Sequence, residues 1–260
     1  TMKKLIKFII YFFNKNSNES EFVKYKSWES AKQSSVGYDS DSVLKKVRDS
    51  AKLVHSGKAV YERDSVLFDK IQYSWPLLSS LMLVAANRQS MKVIDFGGSF
   101  GTTFQQNKKF LKSVPFEIDW RIIEQDKIVS IGQKEFEDKN LTFYTDLKKA
   151  YKNGVDVIIF GGSICYIEDC YRYLNLAAKL NIPFIIFDRT PINNEVNDTF
   201  SVQNVSSKIY KASYPIRNFN IDNLIKPFNK NYKLIEKWVC TNQPDPSTTS
   251  MGLILKKIKL

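Results

Sequence analysis

The sequence predicts an α/β fold built on a doubly wound sheet, because short apolar runs alternate with segments of helical periodicity. Three runs carry most of this prediction: Met91–Phe96, Asp119–Glu124 and Val155–Phe160. Each is rich in β-branched or aromatic residues and is followed by a turn. Near-continuous apolar runs of this kind are typical of parallel strands that helices cover on both faces.

Further segments complete the predicted sheet. Leu141–Tyr144 and Pro183–Phe187 continue the parallel series, and Tyr232–Val239 with Met251–Ile258 form a terminal antiparallel hairpin. Asn193–Tyr214 is polar and rich in Asn and Ser, and we expect an irregular functional loop or lid there. The prediction is therefore a Rossmann-like sheet of seven strands, five of them parallel.

A helical cap is predicted ahead of the sheet. Residues 42–56 carry apolar side chains at helical spacing, and Ser74 with Pro76 begins a second helix that is apolar nearly all round. The predicted division is a basic-apolar segment over residues 1–21, a helical cap over 22–90, and the sheet domain over 91–260.

Composition limits the functional classes. The chain of 260 residues has 39 Lys and Arg against 27 Asp and Glu, a net charge of +12, without a long basic run. Three cysteines suggest a reducing compartment without a disulfide framework. With one histidine and no acidic cluster that demands a cation, no metal site is predicted.

Residues 3–13 combine three lysines with a strongly apolar run. The run is too short to cross a hydrocarbon core of about 30 Å, and no small-residue cleavage site follows it. Two hypotheses remain open: an interfacial helix on a membrane surface, or a segment that docks on the protein body or a second subunit. We expect a cytoplasmic protein, with peripheral contact at the inner membrane face and oligomerisation as open alternatives.

The first predicted strand runs into a glycine-rich turn with the spacing Asp95-x-Gly97-Gly98-Ser99-x-Gly101. Glycines let backbone N–H groups approach a ligand that side chains would block. The acid before the first glycine would repel a pyrophosphate but suits a cation, and S-adenosylmethionine carries an ammonium and a sulfonium. The turn therefore favours S-adenosylmethionine as the cofactor, and an ordinary strand-to-helix turn is the alternative.

Other candidate cofactor residues follow the later strands. Glu124 ends the second strand, where a carboxylate can accept hydrogen bonds from both ribose hydroxyls. Asp146 follows the third strand and is a weaker candidate for binding the adenine amine. Gly161, Gly162 and Ser163 follow the fourth strand, at the edge where open α/β sheets bind their ligands.

Several stretches together resemble one bacterial family, the methyltransferases encoded in surface-polysaccharide and protein-glycosylation gene clusters. The stretches are Tyr61–Phe68, Tyr73–Leu78, Asp95–Gly101, Ile123–Gln125, Gly162–Ile167, Asp188–Pro191 and Tyr214–Pro215. The resemblance extends from about Tyr38 to the C-terminus. Two departures stand out: Ile164 and Cys165 replace a bulkier Leu-Gln type pair, and the third glycine falls one residue late against D/E-x-G-x-G-x-G.

The resemblance implies the class I methyltransferase fold and methyl transfer to a sugar hydroxyl, in a surface glycan or its nucleotide-activated precursor. It implies these cofactor-binding residues: Asp95, Gly97, Gly98, Ser99, Gly101, Glu124, Gln125, Asp146, Gly161, Gly162 and Ser163. Arg63, Arg189 and Arg217 are candidates to clamp a phosphate or carboxylate of the acceptor. Tyr166 and Tyr214, within the shared stretches, are predicted to contact the acceptor.

Methyl transfer to a hydroxyl requires a base within hydrogen-bond reach of the proton. Asp188, at the tip of the fifth strand, is the first candidate, and His55, Asp64 and Glu62 of the cap are the others. Structural alternatives exist for each: Asp188 capping a loop, His55 on a helix surface, and Asp64 in an ion pair with Arg63.

Three rival functions remain open. The net charge of +12 suggests a nucleic-acid methyltransferase. However, Gly161–Ile164 replaces the Asn/Asp-Pro-Pro-aromatic motif of base-amino methyltransferases, so no nucleic-acid partner is expected. A nicotinamide-dependent sugar reductase or epimerase is disfavoured by Asp95. A non-catalytic module that kept the cofactor fold is the third alternative.

Overall fold

The computed structural model describes residues 21–37, 41–206, 212–241, 245 and 247–258. The helices are α1 (Trp28–Gln33), α2 (Asp41–His55), α3 (Trp75–Arg88), α4 (Thr102–Leu111), α5 (Asp126–Glu135), α6 (Leu147–Tyr151), α7 (Cys170–Lys179) and α8 (Ile221–Ile225). The strands are β1 (Glu21–Tyr25), β2 (Tyr61–Arg63), β3 (Val66–Phe68), β4 (Met91–Phe96), β5 (Ile118–Ile123), β6 (Leu141–Tyr144), β7 (Val157–Gly161), β8 (Phe184–Ile192), β9 (Thr199–Asn204), β10 (Ser213–Asn218), β11 (Tyr232–Val239) and β12 (Thr249–Lys257). Short 3-10 helices cover Ile164–Tyr166 and Lys226–Phe228.

Seven strands form the main sheet, in the order β11-β12-β8-β7-β4-β5-β6. The strands from β4 to β8 are parallel, and β12 lies antiparallel between β8 and β11. When the seven strands of this sheet are renumbered 1 to 7 in chain order, starting at β4, their order from the β6 edge is 3-2-1-4-5-7-6. This is the order of the class I methyltransferase sheet, so the predicted fold class is confirmed.

The parallel strands are buried on both faces, which explains their near-continuous apolar sequences. Adjacent residues of one strand belong to opposite hydrophobic clusters: Val157 packs in the cluster around Trp120, and Ile158 packs in the cluster around Phe160. Side chains of a strand alternate between the two faces of a sheet, so each inner strand contributes to both halves of the core.

Gly132 marks the tight packing of α5 on β6. A Cβ at this position would lie 2.5 Å from the ring of Phe143, which is buried. Helix propensity alone would make Gly132→Ala stabilising by about 1 kcal/mol. We expect the substitution instead to lower the free energy of unfolding by about 1–3 kcal/mol, because the buried ring has no room to move.

Urea denaturation of Gly132→Ala measures this effect. Ser130→Ala, an exposed position of the same helix, is the matched control and should change stability by less than about 0.5 kcal/mol. Stabilisation of the Gly132→Ala protein would show that α5 can move away from the sheet at little cost.

A second, three-stranded antiparallel sheet has the order β1-β9-β10. The expectation of an irregular loop over 193–214 is therefore wrong for residues 199–204, which form β9, and for residues 213–214, which begin β10. The strand was missed because its partners are distant in sequence: Val202 of β9 pairs with Val23 of β1 and with Pro215 of β10. A polar segment becomes a strand when such neighbours satisfy its backbone.

The described part of residues 22–90 is helical only in part. It contains α1, α2 and α3, but also β1 and the hairpin β2–β3. Among the residues described, no helix is both long enough and apolar enough to cross a membrane. The predicted interfacial segment, residues 3–13, lies outside the described ranges.

Candidate functional site

The carboxyl ends of the parallel strands form one edge, where most of the predicted cofactor residues lie. The glycine turn follows β4, Glu124 follows β5 and Gly161 ends β7. Gly161 is in register with Asp188 of β8, so the fourth and fifth strands meet at this level. This edge is where open α/β sheets bind ligands.

The glycine turn corrects one detail of the predicted spacing. Gly97, Ser99 and Gly101 have positive φ angles of 72°, 52° and 91°. Left-handed residues at alternate positions reproduce D/E-x-G-x-G-x-G, with Ser99 in the place of the middle glycine. Gly101 therefore occupies the position of the third glycine in this motif and is not one residue late. Glycine is required at position 98 because of close packing and not because of its φ angle: a Cβ there would lie 2.6 Å from Asp95 Cγ.

Asp95 lies directly beneath this turn and is 1% exposed. Its Oδ2 accepts a hydrogen bond from Trp120 Nε1 at 3.2 Å. Burial raises the pKa of Asp95 to about 6, against the opposing effect of the Trp120 hydrogen bond. The carboxyl group thus supports the turn from inside the protein, whereas the sequence suggested direct contact with a cation.

Ser163 connects the end of the fourth strand to the first. Its Oγ donates a hydrogen bond to the Phe96 carbonyl, and a side chain at Gly97 would overlap the Ser163 Cβ. Gly162, the preceding residue, has a φ of 73°, which favours glycine. The predicted residues of the β4 and β7 ends are therefore in mutual contact.

Glu124 is half-buried at the tip of β5, and its carboxylate is only partly satisfied. Oε1 accepts the Ser99 N–H and Oε2 accepts the Gln125 N–H, both at 3.1 Å. A carboxylate oxygen can accept two hydrogen bonds, so each retains acceptor capacity. Burial raises the pKa of Glu124. The group therefore fits two adjacent hydroxyls, as a ribose presents.

Two other predicted cofactor residues are less enclosed. Gln125 is exposed, and its N–H holds Glu124. Asp146 is exposed and caps α6, because its Oδ1 accepts the Lys149 N–H at 3.0 Å. The adenine-binding role of Asp146 stays a prediction.

A cavity of about 330 Å³, called the edge cavity below, opens beside Gly161. It is surrounded by the hairpin β2–β3, the start of α3, α4, the middle of β8 and the end of β11. Its lining includes Arg63, Tyr73, Trp75, Asp188, Arg189 and Trp238. The structure therefore brings Arg63 of one predicted motif to the same concave site as Asp188 and Arg189 of another.

A bulge in β8 directs two consecutive residues to this cavity. The predicted strand ended at Phe187, but β8 continues to Ile192. Its register with β12 shifts so that Asp188 and Arg189 together oppose Gly252, and Arg189 has a φ of 52°. Adjacent strand residues normally face opposite sides, and a bulge re-aims one of them.

Asp188 is 2% exposed and is held by three side chains from two other segments, the residues ahead of α3 and the end of β11. Its Oδ1 accepts hydrogen bonds from Ser74 Oγ at 3.3 Å, Trp238 Nε1 at 3.2 Å and Cys240 Sγ at 3.6 Å. Its Oδ2 lies 3.6 Å from Arg189 Nε. Asp188 therefore does not cap a loop, which was the structural alternative. Its Oδ2 has fewer partners than its Oδ1.

Gly252 determines the position of the Trp238 indole, since a Cβ at residue 252 would overlap that ring. We expect Gly252→Ala to displace the indole, to break its hydrogen bond to Asp188, and to lower the free energy of unfolding by about 1–3 kcal/mol. In a Trp238→Leu background the same substitution should cost little, because the overlapping ring is absent.

Urea denaturation of the two single variants and the double variant measures this coupling. Equal costs of Gly252→Ala in both backgrounds would contradict the contact between Gly252 and the indole.

His55 is outside the edge cavity and has structural contacts. Its Nε2 lies 2.9 Å from the Phe100 carbonyl, and its ring packs edge-on against Phe136 at 4.9 Å. Burial lowers the pKa of His55. The histidine thus ties α2 to the glycine turn, and nothing in its contacts supports a role as the base.

The two carboxylates of the β2–β3 hairpin are also outside the cavity lining. Glu62 is buried, accepts a hydrogen bond from Thr102 Oγ1, and has a pKa raised by burial. Asp64 is exposed at the hairpin turn with a φ of 51°. Within the described residues, Asp64 forms no ion pair with Arg63, so the structural alternative for that pair is wrong.

Three residues predicted to bind the acceptor do not line the edge cavity. Arg217 donates to Asp198 at 3.2 Å, and its guanidinium lies against three rings, those of Trp28, Tyr171 and Phe200. Tyr166 and Tyr214 pack edge-on at 6.0 Å beside the 3-10 helix that follows β7. Arg217 therefore has a structural role, in which it stabilises the second sheet.

Several cavity residues were missed from the sequence. The sequence assigns no site role to Ser74 and Trp75, which lie in a shared stretch at the predicted start of a helix. It likewise assigns none to Trp238, in the predicted terminal hairpin, or to Cys240, which follows it. An aromatic residue just before a helix proline, in the Tyr73–Pro76 stretch, was the one available signal. The hairpin residues gave none, because their approach to Asp188 depends on the insertion of β12.

No protein-family profile matches the chain, and no curated protein matches its sequence. Solved structures with a similar fold include the 1,6-didemethyltoxoflavin-N1-methyltransferase of Burkholderia thailandensis, with 10% identity, a TM-score of 0.46, and coverage of 92% of this chain and 96% of that one. The N-methyltransferase NodS of Bradyrhizobium japonicum has 9% identity, a TM-score of 0.47, and coverage of 82% and 100%. These values carry no argument about this chain, so its fold rests on the strand order described above.

Proposed function

We propose that the protein is an S-adenosylmethionine-dependent methyltransferase. The observation that carries the proposal is the Glu124 carboxylate, which lies beside the glycine turn and retains acceptor capacity on both oxygens. The strand order and the alternating left-handed residues of the turn support the same cofactor. The adjoining edge cavity gives an acceptor access to the same strand ends.

We further propose a sugar hydroxyl as the acceptor, in a surface glycan or its nucleotide-activated precursor. The motif resemblance supports this choice, as do the polar side chains among the lining residues of the edge cavity, such as Arg63, Gln72 and Asp188. The cofactor would supply a methyl group whose bond to a positively charged sulfur breaks as the acceptor oxygen attacks.

The chain's own residues would position the reactants and move the proton. Glu124 holds the ribose, and the glycine turn lets the backbone approach the cofactor. Asp188 Oδ2 accepts the hydroxyl proton, because Oδ1 is already surrounded by three donors. Trp238, Ser74 and Arg189 hold that carboxylate in place, and such positioning supplies much of the rate of a displacement reaction.

Calorimetric titration tests the cofactor. S-adenosylmethionine and S-adenosylhomocysteine should bind with micromolar dissociation constants, and NAD⁺ and NADPH should not bind. Binding of a nicotinamide cofactor instead would move the protein to the reductase class.

Transfer of labelled methyl groups tests the acceptor. Sugar nucleotides and glycan fragments are incubated with methyl-labelled S-adenosylmethionine, and the products are analysed by mass spectrometry. Label on a sugar oxygen supports the proposed acceptor, whereas label on a nitrogen or on RNA contradicts it. An Asp188→Asn protein should retain cofactor binding and lose most of the transfer rate.

A further inference from the structure

Trp75 forms an aromatic wall at the edge cavity. It is 56% exposed, and its ring lies 4.7 Å from that of Tyr73 at an interplanar angle of 31°. Phe110 supports both rings edge-on, at 5.8 and 5.3 Å. A tryptophan that remains this exposed while its neighbours fix its orientation offers a rigid apolar face to a ligand.

Arg63 supplies a positive charge in the same cavity. Its guanidinium lies over the Phe68 ring at 5.6 Å and donates to Gln72 Oε1 at 3.1 Å. Within the part of the chain that the structure describes, no ion pair involves Arg63. Arg189, by contrast, pairs with Asp188. Among the described residues that line the cavity, Arg63 therefore supplies a guanidinium without a salt bridge to a carboxylate, which suits an anionic ligand group.

The segment that carries Trp75 is held firmly. Gln106 of α4 is buried and donates from Nε2 to the Gln72 carbonyl. Gln72 in turn accepts from Arg63. Gln72 thus ties Arg63 and α4 to the segment immediately ahead of the aromatic wall.

The cavity size limits the ligand. A volume of about 330 Å³ is at the lower end of small-molecule sites. It suits one sugar ring with a substituent, while a complete sugar nucleotide would extend past the rim.

We infer that the edge cavity binds the acceptor as a sugar ring that carries a carboxylate or a phosphate. The C–H face of the ring lies on Trp75, and the anionic substituent pairs with Arg63. This inference rests on the proposed function, because it specifies the acceptor class of the same site.

Saturation-transfer NMR titrations of the whole chain test the inference, with D-glucuronate, D-glucose 1-phosphate and D-glucose as probes. They are run with and without saturating S-adenosylhomocysteine. At least one anionic sugar should bind roughly tenfold or more tightly than glucose. Preference for glucuronate would indicate a carboxylate as the natural substituent, and preference for glucose 1-phosphate would indicate a phosphate.

Two substitutions separate the contacts. Arg63→Gln should weaken the preferred anionic sugar by about tenfold to a hundredfold and leave glucose unchanged. Trp75→Ala should weaken charged and neutral sugars alike, by roughly tenfold. Arg172→Gln is the matched control, since Arg172 also lies over one ring, that of Tyr173 at 5.8 Å, but is outside the cavity lining. It should change no affinity.

Equal binding of glucose and both anionic sugars, or no binding of any sugar, overturns the inference. So does a loss of S-adenosylhomocysteine affinity in Arg63→Gln as large as the loss for the sugar, because Arg63 would then belong to the cofactor site. Failure of wild-type protein to bind S-adenosylhomocysteine overturns the proposed function instead. In that case the sugar titrations without S-adenosylhomocysteine still test the inference, by whether an anionic sugar binds more tightly than glucose.

Discussion

Replacing Glu124 with glutamine is expected to weaken binding of S-adenosylhomocysteine by about a hundredfold. In the wild-type protein, both carboxylate oxygens accept backbone N–H groups, from Ser99 and Gln125. Glutamine has the same shape, but one end is an NH₂ group that can only donate. This NH₂ group would face one of the two backbone N–H groups, so that two donors would oppose each other. The ribose would also lose a charged acceptor.

Calorimetric titration of the Glu124→Gln protein measures the affinity, and thermal unfolding verifies its fold. Glu236→Gln is the matched control, because Glu236 also accepts the N–H of the following residue, at 2.9 Å, but on the exposed strand β11. The Glu236→Gln protein should bind S-adenosylhomocysteine with the same affinity as the wild type. An unchanged affinity in Glu124→Gln would remove the ribose-binding role from Glu124.

Acidification is expected to stabilise the wild-type protein relative to Asp95→Asn, by up to about 3 kcal/mol between pH 7 and pH 4. Burial raises the pKa of Asp95 from 3.8 to about 6 in the folded chain. Because the folded pKa exceeds the unfolded value, the folded state binds more protons in this window. The stabilisation is therefore complete below about pH 4 and is lost as the pH rises through about 6.

Urea denaturation of both proteins at a series of pH values tests this linkage, with the difference between the two free energies as the readout. Asp49→Asn, at an exposed aspartate of α2, controls for the simple loss of a surface carboxyl group. If the difference between wild type and Asp95→Asn stayed constant over this range, the Asp95 carboxyl would have to be solvated in the folded protein.

The sequence by itself determined the parallel part of the fold and the positions of the residues proposed to bind the cofactor. Short apolar runs identified β4, β5 and β7, because a strand buried on both faces must be apolar throughout. The glycine turn and Glu124 were found because each directly follows such a strand. In a parallel sheet the carboxyl ends of the strands meet at one edge, so chain order alone brings these residues together.

Only the tertiary structure decided the composition of the edge cavity. The bulge that turns both Asp188 and Arg189 to the cavity depends on pairing with Gly252, and the indole of Trp238 reaches Asp188 because β12 is inserted between β8 and β11. The β1–β9–β10 sheet and the enclosure of Arg217 likewise depend on distant segments. Local periodicity reports what each residue prefers among its neighbours, whereas register and insertion are set by contacts between segments far apart in the chain.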